Sequence, residues 1–227
     1  MKPLVVRRGT VFGKYRVLRY IGAGMEGEVY LVEDFPTRRA RTLKIFRSDV
    51  VASDLVHIES YYLRLRGIPT VKAFHERAPF RDPGGGGFRW WMAFDYVNGR
   101  TLADLIDAGR VLDPLDMAAK LCAALLPIHH RRLVIGDFDH GRNVVVERGT
   151  GRFVFCDLDA GEVRGERPTR DDDLDEVVRA IRRCYQAMGA RPSRRVVSAV
   201  DEASSVEDAL TRLSEIGGAP ATRKSAR

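Results

Sequence analysis

Cysteine and lysine are both scarce in this sequence, and each scarcity narrows the reading. The three cysteines, Cys122, Cys156 and Cys184, are odd in number, widely spaced and set in apolar periodic segments, which favours reduced, buried thiols over disulfides or a metal site. No apolar run reaches the roughly 18 residues of a membrane span, and no charged, apolar, small-residue leader is present. Neither a membrane partner nor a signal peptide is therefore expected, and the expected location is cytoplasmic. Only six of the 38 basic residues are lysine (Lys2, Lys14, Lys44, Lys72, Lys120 and Lys224). The others are arginines scattered over the whole length. A net charge of +7 and a pI near 9.6 raise the question of a polyanion, but scattered arginine is no dedicated platform, and nucleic acid is not expected as the main partner. Usage heavy in arginine, alanine and glycine resembles a GC-rich bacterial genome. With so few lysines, one placed inside a strand needs a reason.

What is present is ordinary globular material: 227 residues, 44% hydrophobic and 30% charged, enough for one large domain or two small lobes. No internal repeat is found. Residues 15–21, 27–33 and 41–46 alternate as strands do, with GAGMEG joining the first two. Residues 52–66 place Leu55, Val56, Ile58, Tyr62, Leu63 and Leu65 at helical spacing before Gly67 and Pro69. Two further strands are predicted at 70–76 and 88–97, around the loop RDPGGGG. Of Trp90 and Trp91, which point to opposite faces, one is expected in the core. VNGRTLADLIDAGR reads as a linker with a short helix, followed by a helix that Asp113 and Pro114 start and that ends near His130. Helices are then predicted at about 172–188, 193–203 and 205–216, with a disordered basic tail over 217–227.

Chemistry concentrates in two places. VVV at 144–146 and FVF at 153–155 form a hairpin around Arg148 to Gly151, which brings Asp137 and Asn143 near Asp157, hard oxygen donors suited to magnesium and its phosphates. In IGAGMEGEVY, Gly22, Gly24 and Gly27 sit at a strand hairpin where backbone N–H groups can approach phosphate oxygens. No helix follows, which disfavours a dinucleotide-binding fold. Lys44 lies in the strand RTLKIF, where a cation is costly without an anion, and Glu59 on the next helix is the expected partner. His129 and His130 read as helix-end residues, and Thr169 as loop or a phosphorylation site.

This series of GxGxxGxV hairpin, strand lysine, helix glutamate, FDYVNGRTL, an aspartate-to-asparagine loop and a later aspartate resembles the eukaryotic-like protein kinase family from about Tyr15 to Ile181. The resemblance implies an α+β, bilobal fold: a β-rich N-lobe with one main helix over 1–98, and a reduced, mainly helical C-lobe over 99–216. It implies ATP and magnesium as cofactors. Gly22, Gly24, Gly27 and Val29 would roof the nucleotide, and Lys44 with Glu59 would clamp its phosphates. Asp95 and Val97 would meet adenine through their backbones, with Phe94 as gatekeeper. Asp137 matches the catalytic base, Asn143 and Asp157 the metal ligands, and Asp173 the aspartate that braces the catalytic loop.

Several residues depart from the family pattern. Ile135 and Gly136 precede Asp137 where the family has histidine and arginine, so activation by phosphorylation of the following segment is not expected. Asn143 comes one residue late, as if Asp139 were inserted. GDF followed by HGRN resembles the aminoglycoside and choline kinase branch, with His140 at that branch's histidine. If Asp139 instead takes the place of the transfer-assisting lysine, a positive charge near the γ-phosphate has become negative. Leu158 stands for the phenylalanine of DFG, and Thr42 for the small alanine over adenine. The segment from Asp159 to Asp173 is short and lacks APE. The expected function is transfer of the γ-phosphoryl of ATP to a hydroxyl, protein serine or threonine first. The alternatives are a small-molecule hydroxyl kinase and a pseudokinase scaffold that regulates a protein partner.

Overall fold

The computed structural model describes residues 6–82, 87–110, 113–136, 138–158 and 168–218. The chain divides into two compact units, Met1–Asn98 and Gly99–Arg227. The first is built on strands β1 (Val11–Phe12), β2 (Tyr15–Ala23), β3 (Gly27–Asp34), β4 (Arg39–Phe46), β5 (Phe74–Arg81) and β6 (Phe88–Asp95), with helix α1 (Ala52–Arg64) between β4 and β5. The six strands form one antiparallel sheet in the order β1-β2-β3-β4-β6-β5. Alternation sets one face: Tyr15, Val17, Tyr30, Val32, Leu43, Ile45 and Trp91 turn inward and form a single cluster. Trp91 is the core tryptophan, edge-on to Tyr15 with ring centroids 5.7 Å apart. Trp90 stays half-buried beneath the Arg77 guanidinium.

Helix α1 buries Leu55, Ile58, Tyr61 and Tyr62. It stops two residues before the predicted end, and Gly67 at φ +82° turns the chain away. The strand expected at 70–76 lies further on, at Phe74–Arg81, and contains Pro79 opposite Trp90. A proline cannot donate to a ladder, but β5 is the sheet edge, where its missing N–H costs nothing. The strand predicted to run to 97 ends at Asp95.

In the second unit, β7 (Gly99–Thr101), β8 (Val144–Glu147) and β9 (Phe153–Phe155) make a three-stranded sheet. Around it are helices α2 (Leu102–Asp107), α3 (Pro114–His130), α4 (Arg170–Ala187), α5 (Arg194–Asp201) and α6 (Val206–Gly218). Asp113 caps α3 by accepting from the Leu115 N–H at 3.1 Å. Thr169 is the N-cap of α4 in a capping box with Asp172, a structural use of the threonine that stood out among arginines. Gly217 and Gly218, expected in a disordered tail, complete α6, while residues 219–227 lie outside the described residues.

Candidate functional site

In the first unit the glycine hairpin joins β2 to β3, closed by a bond from Gly24 N–H to the Gly27 carbonyl of 2.9 Å. A methyl added at Gly22 or Gly24 would meet nothing within 4 Å. Neither glycine is therefore required by crowding around its own Cα, and the Gly24 N–H is already engaged in closing the turn. Gly27 is so required: a Cβ there would lie 2.1 Å from the Ile45 carbonyl oxygen, so its small size lets β3 lie against β4. Val29 follows in β3, directly opposite Lys44.

Lys44 is held between β3 and β6, opposite Val29 and Met92, and is 5% exposed. A buried ammonium needs an anion. The expected pairing with Glu59 does not form. Lys44 Nζ instead meets Glu26 Oε2 at 3.0 Å, from the tip of the hairpin. Glu59 accepts from Arg77 Nε on β5 at 2.5 Å. Helical spacing put Glu59 on the correct element, but the cation it meets across the gap to the sheet is the arginine of the edge strand.

At the end of β6, Phe94 is buried against Tyr62 and Phe74, with centroids at 4.8 and 5.8 Å, and the Lys72 ammonium lies 4.3 Å over its ring. The Asp95 N–H donates to the Ala73 carbonyl at 2.9 Å. Its carboxylate accepts from Arg41 at 2.7 Å and meets His75 Nε2 at 2.8 Å. The His75 hydrogen bond, above all, holds this carboxyl below the usual aspartate range, against the opposing effect of burial. The Asp95 carbonyl, a candidate adenine contact, already accepts from the Thr42 hydroxyl at 3.0 Å. Val97 lies just beyond the strand and is half-buried.

In the second unit a buried carboxylate organises the loop. Asp173, 0% exposed on α4, accepts from the Ile135 N–H at 3.0 Å and the Gly136 N–H at 2.7 Å, and meets His129 Nε2 at 2.7 Å. His129 lies in the last turn of α3, as expected, and is also a buried partner of Asp173. Leu121, Leu125 and His129 recur every four residues, a spacing that puts the imidazole on the buried stripe of α3. Gly136 has φ +77°, and a Cβ there would lie 2.5 Å from the Pro168 side chain. This backbone has no place for the arginine that the resemblance would put there.

Asp137 lies outside the described residues. Beyond it, Phe138 is buried against Phe155 with centroids 5.2 Å apart. Three consecutive left-handed residues follow, Asp139 (φ 42°), His140 (φ 52°) and Gly141 (φ 88°). Contacts from both sides hold this turn down. Asn143 N–H donates to the Phe138 carbonyl at 3.2 Å. Arg183 of α4 donates to the His140 carbonyl at 2.5 Å and to both oxygens of Asp107 at 2.7 Å.

Asn143 enters β8, and the Cys156 N–H donates to its carbonyl at 2.8 Å. Asp157 comes next, so both half-buried oxygen donors leave the same open end of the β8–β9 ladder. Leu158, which the resemblance puts at the phenylalanine of DFG, is buried. Among the described residues no group of three or more His, Cys, Asp or Glu side chains is placed to hold a metal. Asn143 and Asp157 are hard donors that fit a magnesium ion drawing its other ligands from water and phosphate.

No protein-family model matches the chain. In sequence it is 28% identical over 147 residues to the serine/threonine-protein kinase PrkC of Bacillus subtilis, covering 60% of this chain and 22% of PrkC. It is 29% identical over 106 residues to the serine/threonine-protein kinase PknJ of Mycobacterium tuberculosis, covering 44% of this chain and 17% of PknJ. The chain thus spans about a fifth of the length of these relatives. The crystal structure of the Mycobacterium tuberculosis PknI kinase domain superposes with a TM-score of 0.68 at 21% identity, over 94% of this chain and 99% of that domain. A double mutant of the same domain matches with a TM-score of 0.70 at 22% identity. Together with the sheet-rich first unit and the helix-rich second, these matches give the chain the fold of a protein kinase domain.

Proposed function

We propose that the chain is an ATP- and magnesium-dependent phosphotransferase that passes the γ-phosphoryl group to a hydroxyl, with protein serine or threonine as acceptor. The observation that carries this proposal is Asp173. A carboxylate with no exposed surface is spent on holding the backbone of Ile135 and Gly136, immediately before Asp137. So costly a group suits a loop whose next side chain must be held in place.

Asp137 would accept the hydroxyl's proton and orient its oxygen for attack. Lys44 would hold the α- and β-phosphates, and the glycine hairpin would cover them. Asn143 and Asp157 would hold magnesium, whose charge offsets that of the phosphates. The similarity to PrkC and PknJ, both named serine/threonine-protein kinases, supports a protein acceptor. The HGRN loop, which resembles the aminoglycoside and choline kinase branch, supports a small-molecule hydroxyl as the rival acceptor.

One observation favours a regulatory scaffold with impaired nucleotide use: the Thr42 hydroxyl already occupies the Asp95 carbonyl. A thermal-shift titration with ATP, with and without magnesium, followed by a labelled-phosphate assay, separates the readings. Magnesium-dependent stabilisation with transfer that Lys44→Ala and Asp137→Asn each abolish is the expected outcome. Binding indifferent to magnesium, with no transfer to a protein or small-molecule acceptor, would establish the scaffold instead.

A further inference from the structure

We infer that Glu26 at the tip of the glycine hairpin, and not Glu59 on α1, is the carboxylate that positions Lys44. The inference rests on the proposed function only in treating Lys44 as the phosphate clamp. The Lys44 side chain is 6% exposed and that of Glu26 is 23% exposed, so their 3.0 Å contact is screened from water on the lysine side.

Glu59 is committed elsewhere. It holds Arg77 at 2.5 Å, and Arg77 in turn lies 5.2 Å over the Trp90 ring. Reaching Lys44 would cost Glu59 that pair and leave Arg77 without its carboxylate.

The hairpin is also built to present Glu26. Arg47 N–H donates to the Glu26 carbonyl at 2.8 Å, and the Arg47 guanidinium donates to the Met25 carbonyl at 2.9 Å. Gly27 lies opposite Phe46, against the Ile45 carbonyl, with no room for a Cβ. These contacts tie the tip to the end of β4, two residues from Lys44. Glu26 is therefore fixed from its backbone outward, as a positioning residue must be.

The consequence is a change in what the clamp is coupled to. A lysine held from the helix depends on where the helix sits. Here the carboxylate that meets the lysine is carried by the hairpin that would cover the phosphates, so displacement of α1 leaves the Glu26 contact in place, whereas opening of the hairpin breaks it.

The test uses the full chain without nucleotide. Lys44 acylation by an amine-selective succinimidyl ester is followed by peptide mass spectrometry, with circular dichroism as the check on folding. Only the free amine attacks the ester, and a carboxylate at 3.0 Å favours the protonated form, so Glu26→Gln is expected to raise the Lys44 labelling rate at least about threefold. Glu26→Asp should keep labelling slow. Glu59→Gln should leave Lys44 labelling at the wild-type rate while lowering the melting temperature through the lost Arg77 pair. Labelling that rises in Glu59→Gln as much as in Glu26→Gln, or that does not change in Glu26→Gln, would overturn the inference. A wild-type chain that transfers no phosphate but shows the expected labelling pattern would refute the proposed function and leave the Glu26 assignment standing.

Discussion

Three single residues bear on the candidate site and on the loop beside it. Thr42 donates to the Asp95 carbonyl at 3.0 Å, and under the proposed function that oxygen is where the amine of adenine would donate. A carbonyl has two lone pairs, but a hydroxyl already in place costs the incoming amine part of its gain. Thr42→Ala should tighten ATP binding about fivefold, the equivalent of ~1 kcal/mol, by isothermal titration. Weaker binding in the variant would mean that the hydroxyl assists the base. Gly136 illustrates the opposite constraint. Substitution to arginine would put a side chain at φ +77° with its Cβ 2.5 Å from Pro168. Gly136→Arg should lose about 1–3 kcal/mol in urea denaturation, and unchanged stability would show that the loop relaxes freely. Asp173→Ala leaves the Ile135 and Gly136 N–H groups and His129 without their acceptor. A loss of about 3–5 kcal/mol is expected, together with loss of phosphate transfer.

At the level of elements, most of the architecture was legible because its signals are local. The period-two alternation of β2, β3 and β4, the turn chemistry between β8 and β9, and the Asp113-Pro114 start of α3 each depend on a few neighbouring residues. Strand β1 has only two residues and shows no period. Strand β5 was misplaced because Pro79 reads as a strand breaker until the sheet order makes it an edge. The placement of the candidate residues was legible to the same depth. Lys44, Asn143, Asp157 and Asp173 sit on or beside the predicted elements, but the choice of partner is a long-range property. Nothing in spacing indicates that Glu59 meets Arg77 or that Lys44 meets Glu26. The turn at Asp139 to Gly141 depends on a distant element as well, since Arg183 of α4 ties His140 to Asp107. Arg183→Ala frees three left-handed residues from that tie, and deuterium exchange at Gly141 to Asn143 should speed up while α4 itself stays protected. Unchanged exchange there would mean that the turn is held without Arg183, by bonds such as those to the Phe138 and Asp139 carbonyls.

The whole molecule carries its own reporters, one kind in each unit. Both tryptophans, Trp90 and Trp91, belong to the first unit, and all three cysteines to the second. Cys122 is fully buried on α3, and burial pushes its thiol from 9.0 up to about 12. The folded state favours the neutral thiol, so this contribution is complete below the unfolded value near 9 and is lost as pH rises towards 12. In the first unit the Tyr15 and Tyr30 hydroxyls shift in the same direction, chiefly through burial, but from an ordinary value of 10.0. Their contribution erodes from about pH 10 upward. The second unit should therefore weaken first in base. In urea titrations the midpoint read from Cys122 alkylation, corrected for the intrinsic reactivity of an unfolded thiol, should fall between about pH 8 and pH 10. The midpoint read from tryptophan emission should hold over that range and fall only above it. Midpoints that fall together from the start would mean that the two units unfold as one cooperative body, and the buried thiol would then report on the whole chain.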